Sequence, residues 1–239
     1  MSTKRNVSVL DNQAYQLQAD VMRGGKFNPT LRVRARAKAY NGYVNDSWYE
    51  LVARTGIEHD KNHGNIIAEI HPRTFRGLLA AIRKLASNPS LDEKYTVTNA
   101  NFVFLGGKRS EKQRITSKVG VGRNDKGVLG IMIIDMLDDT RPKIHFPFGY
   151  NPTARGRYSL LLKGGNEDPV ESSNLGALGW VDMIEDQLNI EMEKAHHYAL
   201  DNAKDGDRSS GNQNKRRDED DSSYERVSSE VTADEDLPF

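Results

Sequence analysis

The stretch Leu31-Arg32-Val33-Arg34-Ala35-Arg36-Ala37-Lys38-Ala39-Tyr40 alternates apolar residues with cations at period two. Successive side chains of an extended strand point to opposite faces. Leu31, Val33, Ala35, Ala37 and Ala39 therefore share the face that packs, and Arg32, Arg34, Arg36, Lys38 and Tyr40 share the other. Asn41-Gly42 supplies a turn, and Ser47 to Thr55 and Asn65 to Ile70 read as further strands. From Thr74 to Ser87, Phe75, Leu78, Leu79, Ile82 and Leu85 fall at helical spacing with Arg76, Arg83 and Lys84 outside the stripe, and Asn88-Pro89 stops the helix.

The second half repeats this order at larger size. Asn101 to Leu105, Ile115 to Gly122, Val128 to Met136, Lys143 to Phe148 and Tyr158 to Lys163 read as strands joined by loops rich in Gly, Asp, Asn and Pro. A long helix from about Leu175 to Ala203 closes it, with Leu178, Val181, Ile184, Leu188, Met192 and Ala195 as its apolar stripe. The expected fold class is α+β, an antiparallel strand meander followed by a helix, occurring twice. That element order resembles the Whirly and Pur single-strand-binding families, in which two such units pack as a pseudo-symmetric pair, although no residue-level repeat links the halves. The alternative is an OB-type barrel with insertions and a C-terminal helix, its five strands drawn from Asn101 to Lys163.

Three regions follow: an N-terminal extension, 1–30, partly ordered; a folded region, 31–203, with halves 31–89 and 95–203; and a tail, 204–239. The tail is dominated by Asp, Ser, Asn, Lys, Arg and Gly, and such a segment cannot bury enough surface to offset its ordering entropy, so it is expected to be disordered. The zero net charge conceals an asymmetry: residues 1–163 hold 27 Lys and Arg against 14 Asp and Glu, residues 164–203 hold 1 against 9, and residues 204–239 hold 6 against 11. A basic body joined to an acidic tail suits a polyanion binder whose tail can occupy the same surface. Zero cysteines exclude disulfides, thiolate nucleophiles and Cys-based zinc sites. No run of apolar residues reaches membrane-spanning length, so the expectation is a soluble, cytoplasmic protein with no membrane partner.

The tail ends in Asp234-Glu235-Asp236-Leu237-Pro238-Phe239. Three carboxylates followed by an apolar tip suit capture by a basic pocket that pairs the acids and buries the ring. This hexapeptide is similar to the C-terminal tip of bacterial and phage single-stranded DNA-binding proteins. The resemblance covers six residues and the character of the tail; the folded-domain pattern of the bacterial binders is absent from residues 1–203, so it implies a function and not a fold. It implies single-stranded DNA as ligand, and recruitment through the tip of replication and recombination proteins such as a polymerase, helicase or primase. The size and the absent bacterial-type domain suggest a phage protein, resident in the host cytoplasm.

Single-strand binders need cations that follow phosphates and aromatic faces on which bases stack. The candidates are Arg32, Arg34, Arg36, Lys38 and Tyr40 on one strand face, then Tyr43, Trp48 and Tyr49. Of the last pair only one can face solvent, because neighbours on a strand point to opposite sides. Phe102 and Phe104 are expected on one face of a later strand leading to Lys108, Arg109, Lys112, Arg114 and Lys118, and Arg123 and Lys126 form a basic hairpin tip. Homo-oligomerisation through sheet edges or the long helix would give cooperative coating.

Enzyme readings fit less well. Gly120-Val121-Gly122 with Gly127 misses the dinucleotide spacing, and Gly106-Gly107-Lys108-Arg109 lacks the Gly and the Ser or Thr of a phosphate-binding loop. His59-Asp60-Lys61-Asn62-His63 reads as a loop and not as a metal-binding helix turn. The expectation is thus a non-enzymatic, sequence-tolerant single-strand coat with no cofactor and no metal. The alternatives are a strand-annealing protein and a magnesium-dependent nuclease built on Asp135, Asp138 and Asp139.

Overall fold

A computed structural model describes residues 8–60, 64–105, 108–149 and 162–209. Two 3₁₀ turns, Val9–Asp11 and Gln13–Tyr15, precede β1 (Leu17–Gln18), β2 (Thr30–Tyr40), β3 (Tyr43–Arg54) and β4 (Asn65–Ile70). These four strands form an antiparallel sheet in chain order, and α1 (Pro72–Ser87) follows. The second unit runs through β5 (Tyr95–Asn101), a small hairpin of β6 (Phe104–Leu105) and β7 (Lys108–Arg109), then β8 (Arg114–Arg123), β9 (Leu129–Asp135) and β10 (Ile144–Pro147). Strands β5, β8, β9 and β10 form the second antiparallel sheet. A hairpin of β11 (Leu162–Lys163) and β12 (Asn166–Glu167) leads to α2 (Pro169–Ser209).

The fold is α+β, a four-stranded antiparallel meander followed by a helix, occurring twice. The described strands divide between two separate four-stranded sheets and two small hairpins, so the alternative of one five-stranded barrel is set aside. The first meander takes its first strand from within residues 1–30, and α2 continues to Ser209, past the boundary placed at 203. The rest of the tail and its tip, Asp234 to Phe239, lie outside the described residues.

One core joins both units. Leu31, Val33, Tyr49, Leu51 and Ala53 on the first sheet, Val119, Val121, Ile131, Ile133 and Phe146 on the second, and Phe75, Leu79, Ile82, Trp180, Val181, Ile184 and Leu188 on the helices belong to a single buried cluster. Helix α1 starts at Pro72, where the missing amide hydrogen costs nothing, and His71 Nδ1 accepts the Arg73 N–H at 3.3 Å. Asp168 caps α2 by accepting the N–H groups of Val170 and Glu171, each at 3.1 Å. Arg83 on α1 binds Glu185 and Asp182 on α2 and fixes the two helices side by side.

The edge of the first sheet is closed by side chains of the second unit. The register of the second sheet sets Asn99 opposite Ser117 and Ser117 opposite Asp135, a row that crosses three strands. Along β4 the carbonyls of Glu69, Ile67 and Asn65 accept from Asn99 Nδ2 (2.7 Å), Ser117 Oγ (3.1 Å) and Arg141 Nη1 (3.1 Å). Arg141 is itself paired with Asp135 at 2.7 Å. The edge of β4 thus lies across the strands of the second sheet, and its outward carbonyls are satisfied by side chains and not by another strand.

The strand expected over Asn101–Leu105 is instead β5 ending at Asn101, followed by an excursion. Asn101 Oδ1 accepts the Phe102 N–H at 2.8 Å and Ser110 Oγ accepts the Val103 N–H at 3.1 Å, so side chains take the bonds that a continuing ladder would need. Of the strand expected over Tyr158–Lys163, only Leu162–Lys163 falls among the described residues, as half of a two-residue hairpin.

Candidate nucleic-acid interface

The face of the first sheet opposite the core carries the even-numbered residues of β2 and, from Asp46 to Arg54, those of β3; a bulge at Asn45 then sets Tyr43 opposite Tyr40 on this face and Val44 opposite Ala39 on the other. Across the pair, Arg34 stands opposite Glu50, Arg36 opposite Trp48 and Lys38 opposite Asp46, and on the next strand Glu50 stands opposite Glu69. Strand β4 pairs with β3 only over Tyr49–Arg54. From Arg36 to Trp48 the β2–β3 hairpin therefore extends as a two-stranded ribbon among the described residues. Its tip is the Asn41-Gly42 turn, where φ of +50° and +78° matches the twist that two-residue hairpins need. Tyr40 and Tyr43 flank the turn with 66% and 76% of their surfaces exposed.

A second arm starts from the second sheet next to Glu69. Asn101, the last residue of β5, donates from Nδ2 to the Glu69 carboxylate at 2.9 Å. The chain from Phe102 to Lys112 leaves the second sheet at that point and returns at Arg114 through the β6–β7 hairpin. Phe104 is 73% exposed, and the Arg109 guanidinium lies 3.8 Å from the centroid of the Phe102 ring. Lys108, Arg109, Lys112 and Arg114 are exposed. Two arms bearing cations and exposed rings thus meet at a corner built on Glu69 and Asn101. Phe102 and Phe104 do not share one strand face, as expected from sequence; the first packs half-buried under Arg109 and the second stands free.

Several expected residues lie elsewhere. Tyr49 is 2% exposed, stacks at 4.9 Å on Phe75 and donates its hydroxyl to the Leu188 carbonyl at 3.1 Å, so it belongs to the core; Trp48 is its outward-facing neighbour. Arg123 is buried and donates to the Leu85 carbonyl, the Gly127 carbonyl and Asn174, which ties α1 to the start of α2. The hairpin tip therefore presents only Lys126 as a cation, beside Asp125. Lys118 alternates with Ser117 and lies on the opposite face of the second sheet, opposite Thr98 and Ile134. Arg32 and Arg34 share the outer face but both pair with Asp11, at 3.3 and 3.6 Å, and Arg36 pairs with Glu50 at 3.0 Å.

Two features of these surfaces were missed from sequence. Arg54, exposed at the end of β3, adds a cation on the outer face of the first sheet at the end of β4 away from Glu69, and its spacing of six from Trp48 was the available signal. Ile115, Met136 and Leu137, 36%, 36% and 53% exposed, add apolar surface where the second sheet runs out beyond β4. Electrostatics at the junction are mixed. The Glu69 carboxyl is held above the ordinary carboxylate value, by desolvation first and by the Glu50 charge second, while the Asn101 hydrogen bond opposes both.

The described residues hold no group of three or more His, Asp or Glu arranged to bind a metal ion. Asp135, the centre of the nuclease alternative, is committed to Arg141, which also pairs with Asp60 at 2.8 Å. No helix among the described residues is long and apolar enough to cross a membrane. What the corner offers chemically is binding: cations spaced along two β-arms, with rings between them. Comparison with protein-family models, with curated proteins and with solved structures finds no match to this chain.

Proposed function

We propose that this protein binds single-stranded DNA without reading its sequence, coating strands during replication and recruiting replication and recombination proteins through its C-terminal tip. The observation that carries the reading is the pairing of two cationic arms around the Glu69–Asn101 junction, one bearing the exposed rings of Tyr40 and Tyr43 and the other that of Phe104. Flexible strands can follow such a corner because their bases splay out and stack on Tyr40, Tyr43 and Phe104 while the phosphates track Lys38, Lys108, Arg109, Lys112 and Arg114. A duplex is too stiff to offer its base faces there, and neither helix suits groove reading: on α1, Arg76, Arg83 and Lys84 are engaged by Asn189, by Asp182 and Glu185, and by Glu93, and α2 is predominantly acidic. The resemblance of Asp234 to Phe239 to the tips of single-strand binders supports the recruiting role.

The test is binding of a fluorescent 30-nucleotide strand to the full chain across a salt series, in competition with duplex DNA and with RNA. If about six cations reach phosphates, the log-log salt slope is roughly −4. Single-strand preference with that slope supports the reading, and equal or stronger duplex binding overturns it.

A further inference from the structure

The first 3₁₀ turn lies against β2 beyond its two-residue pairing with β1 and reaches both faces of the sheet. On one side Leu10 is fully buried among Leu31, Val33 and the α2 residues of the core. On the other side the next residue, Asp11, reaches the outer face and sets one carboxylate oxygen 3.3 Å from Arg32 Nη1 and 3.6 Å from Arg34 Nε. The turn is held at several further points. Ser8 Oγ accepts the Leu10 N–H at 3.1 Å, the Val9 N–H donates to Glu191 at 3.4 Å, and Gln16 Nε2 donates to the Asp11 carbonyl at 2.7 Å. Burial disfavours the Glu191 carboxylate, but hydrogen bonds with Lys194, Ser8 and the Val9 N–H hold it below the ordinary carboxylate value, and through them it anchors the turn to α2.

A carboxylate lodged between two arginines on a strand face presents them with the single negative charge and an acceptor oxygen, as a backbone phosphate would. We infer that Asp11 is a built-in phosphate surrogate that withholds Arg32 and Arg34 from nucleic acid, so that, with Arg36 held by Glu50, the strand's phosphate track begins at Lys38 and runs toward the two arms. This inference rests on the proposed function and assigns Asp11 as the residue that limits how many phosphates the face can neutralise. Arg32 and Arg34 repel each other on one face two residues apart, and Asp11 offsets that repulsion in the unbound protein. Loss of the carboxylate leaves two cations facing solvent with the turn still anchored by Leu10.

The test uses the full-length chain and a fluorescent 30-nucleotide oligothymidine, with Kd measured between 0.1 and 1 M salt. Releasing two cations steepens the single-strand slope by about 1.4, so D11N gains roughly 25-fold over the wild type in affinity at 0.1 M relative to 1 M. Adding R32Q and R34Q to D11N returns the slope to the wild-type value, which separates this effect from a general change in surface charge. D11S serves as a second variant, and thermal melts of each confirm a folded chain. A wild type that binds the strand with a slope unchanged in D11N and D11S overturns this inference alone. A wild type that does not bind the strand overturns the proposed function and, with it, this role.

Discussion

Ser117 Oγ donates to the Ile67 carbonyl at 3.1 Å, and this bond lies at the centre of the row by which the second sheet seals the edge of the first. Ser117 is fully buried and Ile67 half-buried, so replacement of Ser117 by Ala leaves the Ile67 carbonyl without this partner. Ser117→Ala is expected to cost about 1–3 kcal/mol in urea unfolding, with the flanking Asn99 and Arg141 bonds intact. An unchanged midpoint would show that the Ser117 bond adds nothing to the hold on the strand edge.

Glu50 and Glu69 face each other across β3 and β4, a like-charge pair in the middle of a cationic surface. Glu69 has its folded value raised, so the native state binds more protons than the unfolded one between the ordinary carboxylate pKa and the raised one. Stability therefore falls as pH rises through that window, and the penalty stays constant above it. Glu69→Gln removes the penalty while retaining an oxygen for Asn101, and it removes a negative charge from the path between the arms. The variant is expected to be more stable and to bind strands more tightly than wild type at neutral pH, with both differences vanishing below the ordinary carboxylate value. Paired melts and titrations at pH 4 and pH 7.5 check this; a difference that grows on acidification contradicts it.

Strand alternation made the first sheet legible. The period-two pattern of Leu31–Tyr40 placed β2 to within one residue, and Asn65–Ile70 coincides with β4. Helix α1 was equally plain because Phe75, Leu78, Leu79, Ile82 and Leu85 all face one core. Strand β5 was missed because Asn99 and Asn101 occupy positions where a core-facing strand carries apolar residues; their amides serve the inter-sheet junction instead. No single-strand pattern encodes that, since the partner, Glu69, lies 30 and 32 residues away. Sequence alternation also left open which of Trp48 and Tyr49 faces out, and the hydroxyl bond from Tyr49 to Leu188 settles it. Arg123 was read as a surface cation because a hairpin end is ordinarily solvated. It turns inward to occupy the Leu85 carbonyl, one of the groups that a helix end leaves open.

Phe104 and Tyr49 separate binding from folding. Phe104 is largely exposed and contributes little packing, so Phe104→Ala is expected to leave the melting temperature unchanged while weakening strand binding by about 1–3 kcal/mol, the worth of one stacked base. Tyr49→Phe removes one buried hydrogen bond and costs about 1 kcal/mol of stability with no change in strand affinity. Strand affinity that follows Tyr49 and ignores Phe104 would relocate the interface.

The acidic tip makes a prediction of opposite sign from the arms. The basic body and the tip attract each other, so the tip competes with phosphate for the same cations, most strongly at low salt where screening is weak. Deleting Asp234 to Phe239 from the full chain is expected to tighten strand binding several-fold at low ionic strength, with the gain shrinking as salt rises. The same deletion should abolish recruitment of polymerase, helicase or primase partners, read by co-sedimentation on strand-coated beads. Weaker strand binding after the deletion would make the tip part of the binding surface, because a competitor's removal cannot lower affinity.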